Sequence, residues 1–236
     1  LDADISVSKM VTATYNGNFN GNGHTLDLDL RGDAETNYVA PFGRVGEATI
    51  KNLHVTGAVT SPQPYAAGLV GCAFSSLTIE NCQSSVTLLN QEDEAMSNGG
   101  FVGEVRGTLA KVVISNSKFD GCFLGSLSYG HGGFVGNIAA GDVSIKNCLF
   151  APDRIDTKTD QCETWARINE LPGQSAKLSV TDCKATRFFG GNHITIKSAE
   201  DWETLRSRVG QAGGKSDFTV FLETGGEEVA REERFL

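Results

Sequence analysis

The sequence has few prolines and no long apolar segment. Only 5 prolines occur in 236 residues, which excludes a proline-rich linker or polyproline composition. No stretch of about 18 consecutive apolar residues is present, so no part of the chain is expected to span a membrane. The chain starts at Leu1 rather than at a methionine, so the lack of a signal peptide carries no information about export.

An excess of positive charge and the common metal-binding spacings are also missing. The net charge is −9 at pH 7, and an acidic surface repels a phosphate backbone, so nucleic acid is not an expected partner. No cysteine lies in a CxxC motif or at a zinc-ligand spacing from a histidine, so neither a zinc site nor another cofactor is expected. The six cysteines, whose even number leaves disulfides open, are Cys72, Cys82, Cys122, Cys148, Cys162 and Cys183.

Glycine is abundant, with 28 residues, which predicts many tight turns between short strands. Many of these glycines belong to a repeated cassette. Its first half, a Gly-rich segment around a Phe or Leu, lies at 41–46, 68–71, 100–103 and 133–136. Its second half, a short strand with an Asn, lies at 49–53, 78–82, 113–117 and 144–148, with a degenerate copy at 179–183.

The cassette predicts an all-β parallel solenoid. The buried Ile or Val positions of the second half are 29, 35, 31 and 35 residues apart, and no copy has the i, i+3, i+4 spacing of a helix. Each copy instead has two short apolar–polar alternations, which form one coil of stacked strands. About five coils are expected. The predicted inward stacks are Phe42, Leu69, Phe101 and Phe134, and Ile50, Ile79, Ile114, Ile145 and Val180.

An Asn follows the buried Ile by two residues in each full copy. We interpret this series as a structural ladder of amides at a bend between strands, in which Asn81 and Asn116 are buried and hydrogen-bonded. A row of ligand-binding amides is the alternative. The ladder residues are Asn52, Asn81, Asn116, Asn147 and Asp182.

Cys82, Cys148 and Cys183 occupy the cassette position after this Asn or Asp. We interpret them as small core residues with free thiols. A Cys148–Cys183 cross-link between neighbouring coils is the alternative. At the N-terminus, residues 19–26 predict a strand, an Asn-Gly turn and a second strand. Aspartates 2, 4, 27 and 29 are interpreted as outward-facing partners of buried residues, with a calcium site as the alternative.

The C-terminal part departs from the repeat. Ser198 is a suitable helix N-cap, and Trp202, Leu205 and Val209 form an apolar stripe that predicts a helix. A strand is expected at 218–222, before a charged tail. We therefore divide the chain into a repeat domain at 1–187 and a helix–strand unit at 188–236. That unit is a candidate cap for the open end of the solenoid, and the chain is expected to be a monomer.

The repeat resembles the GLUG-motif family of bacterial surface proteins. Residues 19–26 (Phe-Asn-Gly-Asn-Gly-His-Thr-Leu) are similar to that family's F-x-G-x-G-H-T-I entry sequence, and Gly-Leu-Val-Gly at 68–71 resembles the GLUG motif itself. The likeness covers roughly residues 1–150, with a weaker tail to about 185. Residues 194–222 also resemble that family's domain opening, which implies that the unit at 188–236 is either a cap or the opening of a following repeat unit. The resemblance implies a right-handed β-helix like that of pectin lyases, an exported bacterial cell-surface location, adhesin-like roles and no established catalytic residues.

Three functions follow as hypotheses. The first is a non-catalytic module for adhesion or for binding a glycan or protein, with contacts from the loops at 61–65, 89–98 and 151–172. The last loop holds Trp165 and Arg167, residue types that anchor interfaces, although Trp165 is equally suited to covering the core. The second is a passive spacer. The third and least favoured is a polysaccharide-degrading enzyme, since Gly130-His131-Gly132 resembles a polygalacturonase motif but the paired carboxylates of such enzymes are missing.

Overall fold

The computed structural model describes residues 1–186 and Phe189, together with the backbone of three short strands further on. The described residues contain strands, turns and loops and no α-helix. They form a β-solenoid of about six turns whose neighbouring coils pair in parallel. The predicted fold class is therefore confirmed, with one coil more than expected. The described part of the chain holds no helix of the length and apolarity that crossing a bilayer requires.

The strands are short and follow one another at coil-like intervals. In chain order they are β1 (Ile5–Val7), β2 (Val11–Asn20), β3 (Thr25–Arg31), β4 (Phe42–Lys51), β5 (His54–Thr60), β6 (Val70–Ala73), β7 (Leu77–Glu80), β8 (Gln83–Ser84), β9 (Thr87–Leu89), β10 (Val102–Val105), β11 (Lys111–Ser115), β12 (Lys118–Phe119), β13 (Cys122–Gly125), β14 (Val135–Ile138), β15 (Gly141–Lys146), β16 (Leu149–Phe150), β17 (Arg154–Thr157), β18 (Ala166–Ile168), β19 (Ala176–Thr181), β20 (Lys184–Ala185), β21 (His193–Ile196), β22 (Thr219–Thr224) and β23 (Glu228–Phe235).

Two ten-stranded sheets form the walls of the solenoid. Sheet 1 contains β1, β3, β5, β8, β9, β12, β13, β16, β17 and β20, and sheet 2 contains β2, β4, β6, β7, β10, β11, β14, β15, β18 and β19. Each coil runs along sheet 2, turns a corner into sheet 1, and returns through a loop. The long strand β4 pairs with β6 over its first half and with β7 over its second.

The register confirms the predicted stack of branched side chains. Ile50, Ile79, Ile114 and Ile145 align on successive coils, followed by Val180. The other predicted stack needs one correction, because Phe42 aligns with Val70 rather than with Leu69. The residues that do share one column are linked from coil to coil by backbone hydrogen bonds. They are Leu69, Phe101, Phe134 and Trp165.

Aromatic side chains fill the middle of the solenoid. Phe119 and Phe150 are fully buried and stacked, with ring centroids 5.7 Å apart. Phe123 packs edge-on against Phe189 at 4.8 Å. Burying one such ring stabilises the fold by about 1.5–3 kcal/mol. Along β15 buried and more exposed residues alternate strictly, so one face of the strand supplies the core and the other faces out.

The corners between the two sheets require an unusual backbone. Asn52, Asn81, Asn116 and Asn147 have φ between 51° and 53°, and Asp182 has φ 54°. This left-handed region is costly for most side chains, but Asn and Asp tolerate it because they bond locally to the backbone. The repeated Asn therefore marks the corner of each coil.

The N-terminal segment is a coil and not a hairpin. Although an Asn-Gly turn separates β2 from β3, β2 pairs with β4 while β3 pairs with β1 and β5. Asn22 in this turn has φ 53°, like the other corner residues. Residues 1–31 thus supply the additional coil that the sequence reasoning had set apart.

The remaining strands form a small separate sheet. β21 pairs with β22 in parallel, and β22 pairs with β23 in antiparallel fashion. The strand expected at 218–222 is found as β22, and the charged tail contains β23. The predicted helix from Ser198 to Val209 lies outside the described residues, so the choice between a cap and the start of a following unit stays a prediction.

Candidate functional site

Trp165 was expected either on a binding surface or as a cover of the core, and its burial agrees with the second interpretation. Its side chain is 1% exposed and packs against Phe134, with ring centroids 5.3 Å apart. The reason is its register, because it lies 31 residues after Phe134 in the aromatic column of the core. Arg167 stays half-buried on the outside, where it donates hydrogen bonds to Ser97 Oγ (3.1 Å) and Gln161 Oε1 (2.6 Å).

The Asn residues do bond to one another, but they are not buried. Asn81 Nδ2 donates to Asn52 Oδ1 and Asn147 Nδ2 donates to Asn116 Oδ1, both at 2.8 Å. Asn81, Asn116 and Asn147 are exposed, so the expected burial is wrong. At the left-handed corners these side chains lie on the surface of the solenoid, where they link neighbouring coils.

The cysteines of the cassette column are not joined by disulfides. None of the six cysteines forms a disulfide in the described structure, and Cys148 N–H donates to the Cys183 sulfur at 3.4 Å. A hydrogen bond with Cys183 lowers the pKa of Cys148, whereas burial raises the pKa of Cys82 and Cys162 to about 11. These thiols therefore act as core residues with sulfur–backbone contacts.

His131 is part of the core and not of a catalytic cleft. Its ring is 1% exposed; Nδ1 accepts from Asn98 N–H and Nε2 contacts Ser128 Oγ, both at 3.3 Å. Burial, with a smaller contribution from Arg167, lowers the pKa of His131 to about 3. The imidazole is thus neutral and its hydrogen bonds are all structural.

The N-terminal aspartates bond to neighbouring strands. Asp4 Oδ1 accepts from the Thr25 N–H at 2.8 Å, and Asp27 Oδ1 accepts from the Thr56 hydroxyl at 2.9 Å. Asp29 pairs with Arg31 at the surface. Across the residues that the structure describes, no three His, Cys, Asp or Glu side chains come together as metal ligands.

A buried acid that sequence reasoning missed lies on the outer side of sheet 2. Glu104 is 1% exposed and its Oε2 accepts from the Tyr38 hydroxyl at 2.9 Å and from Arg106 Nη1 at 3.4 Å. Asn137 Nδ2 donates to Oε1 at 3.4 Å. Burial is the first cause that raises the pKa of Tyr38, so this phenol keeps its proton and holds its ring in a fixed orientation above the acid.

Aromatic rings and arginines surround this acid and form what we call the aromatic–arginine patch: Tyr38, Arg44, Tyr65, Phe74 and Arg106. The rings of Tyr38 and Tyr65 lie 5.5 Å apart. The guanidinium of Arg44 lies over two rings, 5.6 Å from the centroid of Tyr38 and 5.9 Å from that of Phe74. Phe74 is 37% exposed, and both arginines are exposed. The patch therefore offers aromatic surface and positive charge to solvent.

Cassette glycines position the two tyrosines. A Cβ on Gly71 would lie 2.7 Å from Tyr38 Cβ, and one on Gly103 would lie 2.2 Å from the Tyr65 carbonyl oxygen. The loops that carry these rings thus pack directly on the glycines of the strands beneath. A side chain at either position would push the loop away from the sheet.

A groove opens beside the patch. It has a volume of about 220 Å³ and is lined by Met10, Thr12, Glu35, Thr36, Asn37, Tyr38, Gly43 and Arg44. A second groove on the other wall, of about 430 Å³, is lined by residues that include Leu124, Leu127 and Arg154. In that second groove Arg154 is paired with Asp156 at 2.6 Å, so its charge is already neutralised.

One sequence signal for the patch was present. In each copy, the first half of the cassette has a glycine directly after its Phe, Leu-Val or Phe-Val, and the residue that follows this glycine differs from copy to copy. These residues align on adjacent strands and are Arg44, Cys72, Glu104 and Asn137. A changing polar residue within an otherwise constant motif indicates a variable outer surface. The tyrosines lie in loops outside the cassette, and nothing in the repeat pattern connects them to it.

Searches against protein-family models, curated proteins and solved structures find no match to this chain. The resemblance to GLUG-motif proteins therefore stays a prediction.

Proposed function

We propose that the chain is a non-catalytic, extracellular ligand-binding module of an adhesin-like bacterial surface protein, with the aromatic–arginine patch as its binding surface. The observation that carries the proposal is Arg44, an exposed cation held against Tyr38 and Phe74. Aromatic and arginine side chains are the types that contribute most to recognition surfaces.

The patch is rigid before any ligand arrives. The Tyr38 hydroxyl is tied to Glu104, and Arg106 contacts both Glu104 and the Tyr38 oxygen. The rings also rest on strands that are paired on both edges within sheet 2. A surface that is already ordered loses little conformational entropy when it binds.

The local charge also favours binding. The chain carries a net charge of −9, yet the exposed charges of the patch are the two arginines, and its one acid is buried beneath them. Most of the acidic surface repels other acidic molecules, whereas the cationic patch attracts a negatively charged ligand to one place.

The proposal excludes a catalytic role for His131. A general base needs to reach substrate and to titrate near the working pH, whereas this imidazole is buried and its pKa is lowered to about 3. We therefore expect no hydrolase or lyase turnover on polygalacturonate or related glycans that depends on His131.

Binding of the labelled chain to glycan and protein arrays tests the proposal. Phe74→Ala removes exposed aromatic surface from the patch, and Leu127→Ala is the matched control because Leu127 is an exposed apolar residue, 46% accessible, in the other groove. We expect wild type and Leu127→Ala to bind the same ligands and Phe74→Ala to lose most of the signal. No binding by wild type would favour the passive spacer, and loss in Leu127→Ala alone would place the site in the other groove.

A further inference from the structure

We infer that the ligand of the aromatic–arginine patch is a carboxylate-bearing glycan, with Arg44 binding the carboxylate. This inference rests on the proposed function and names the ligand class of the same site. Three features carry it: the unpaired charge of Arg44, the composition of the adjoining groove, and the absence of a free strand edge beside Arg44.

Arg44 is available to an anion. Among the residues that the structure describes, no acidic side chain lies within ion-pairing distance of its guanidinium, whereas Arg106 is bonded to Glu104 at 3.4 Å. Its guanidinium carbon lies 5.6 Å from the ring centroid of Tyr38 and 5.9 Å from that of Phe74. These cation–π contacts leave the positive charge without an anionic partner, and the N–H groups of a guanidinium match a carboxylate with two parallel hydrogen bonds.

The groove beside Arg44 suits a sugar ring. Its volume of about 220 Å³ is below the range of about 300–1,000 Å³ that larger organic ligands occupy. Thr12 and Asn37 line it and offer hydroxyl and amide groups that donate and accept hydrogen bonds, as sugar hydroxyls do. The Thr36 hydroxyl donates to Asp33 Oδ1 at 2.6 Å and is left as an acceptor. Tyr38 also lines the groove, and its ring carbons add apolar contact for the C–H groups of a sugar.

The same groove limits how much negative charge the ligand carries. Glu35 lies in its lining, and the chain as a whole is acidic. Because Glu35 and Arg44 line the same small groove, each additional anionic group on a ligand is exposed to repulsion from Glu35, and a densely sulfated chain carries many such groups. Uronate or sialate sugars fit this balance better than heavily sulfated ones.

This surface is less suited to binding a peptide. Extended peptides bind most readily by adding a strand to an open sheet edge. β4, which carries Arg44, is hydrogen-bonded to β2 on one edge and to β6 and β7 on the other. The patch therefore offers side chains and a groove, which favours a ligand recognised through its rings and charges.

The experiment measures binding of uronate- and sialate-containing oligosaccharides, each paired with a neutral counterpart in which the carboxyl group is reduced to a hydroxymethyl group. Titration calorimetry compares wild type with Arg44→Gln. The control is Arg154→Gln, which removes one exposed arginine from the other groove. We expect at least one acidic oligosaccharide to bind about tenfold more tightly than its neutral form. This preference should disappear in Arg44→Gln and persist in Arg154→Gln.

The outcomes separate this inference from the proposed function. Equal binding of acidic and neutral forms that is lost in Phe74→Ala overturns the carboxylate assignment and leaves the patch as a binding site. An array response to proteins, with no oligosaccharide bound, likewise overturns the glycan assignment alone. An acid preference that survives Arg44→Gln and fails in Arg154→Gln assigns the ligand to the other groove and overturns both.

Discussion

Two substitutions of a corner asparagine separate the contribution of its left-handed backbone from that of its side-chain hydrogen bond. Asn116 has φ 51°, and its Oδ1 accepts a hydrogen bond from Asn147 at 2.8 Å on the exposed surface. Asn116→Ala removes the side-chain bond and also places an ordinary residue in the left-handed region. Asn116→Gly removes the same bond but tolerates that backbone.

The magnitudes follow from these two contributions. A left-handed backbone costs an ordinary residue about 1–2 kcal/mol, and an exposed side-chain hydrogen bond contributes about 0.5 kcal/mol, at the low end of the usual range. Asn116→Ala should therefore lower the free energy of unfolding by about 1.5–2.5 kcal/mol. Asn116→Gly should cost about 1 kcal/mol, from the lost bond and the greater freedom of the unfolded chain.

Denaturant unfolding followed by circular dichroism measures both variants. Asn18→Ala is the control, because Asn18 is an exposed residue of the extended strand β2; it should change stability by less than about 0.5 kcal/mol. The reasoning is refuted if Asn116→Gly is as damaging as Asn116→Ala, or if Asn116→Ala is as mild as the control.

Three further predictions concern the core. Because burial lowers the pKa of His131 to about 3 from its ordinary value of 6.5, the unfolded chain binds the extra proton between these pH values. The free energy of unfolding should therefore decrease as the pH falls below 6.5, by up to about 1.4 kcal/mol per pH unit. Denaturant melts at several pH values measure this decrease, and the part due to His131 should be absent in His131→Asn. Phe150→Ala should lower the free energy of unfolding by about 3–5 kcal/mol in denaturant melts, because the ring is fully buried and leaves a cavity; a cost near 1 kcal/mol would contradict the packing. In a thiol titration with a disulfide reagent, half-buried Cys122 should react first and the five buried cysteines only on unfolding, because reaction requires an accessible thiolate. A count of fewer than six thiols after denaturation would indicate a disulfide.

Much of the fold was predictable because stacked coils repeat the same local chemistry. The spacing of Ile50, Ile79 and Ile114 was sufficient to place neighbouring coils in register, which the strand pairing bears out. Coils whose cassette is degenerate were harder to predict. Trp165 fills an aromatic position without flanking glycines, and residues 1–31 form a coil around a turn that also suits a hairpin.

The candidate site was not predictable in the same way. Arg44 and Glu104 belong to the repeat, but Tyr38 and Tyr65 come from loops of different length whose path depends on tertiary packing. The burial of Glu104 beneath Tyr38 and Arg106 is likewise a property of two separate segments brought together. Periodicity describes the solenoid and says nothing of which loops fold over its outer wall.

The most direct test of the binding surface is an NMR titration with an array-selected ligand, observing aromatic and arginine side-chain resonances. We expect the resonances of Tyr38, Tyr65, Phe74 and Arg44 to shift together and to saturate at the affinity measured by calorimetry. Shifts confined to Leu127 and Arg154 in the other groove, with the patch unchanged, would contradict it.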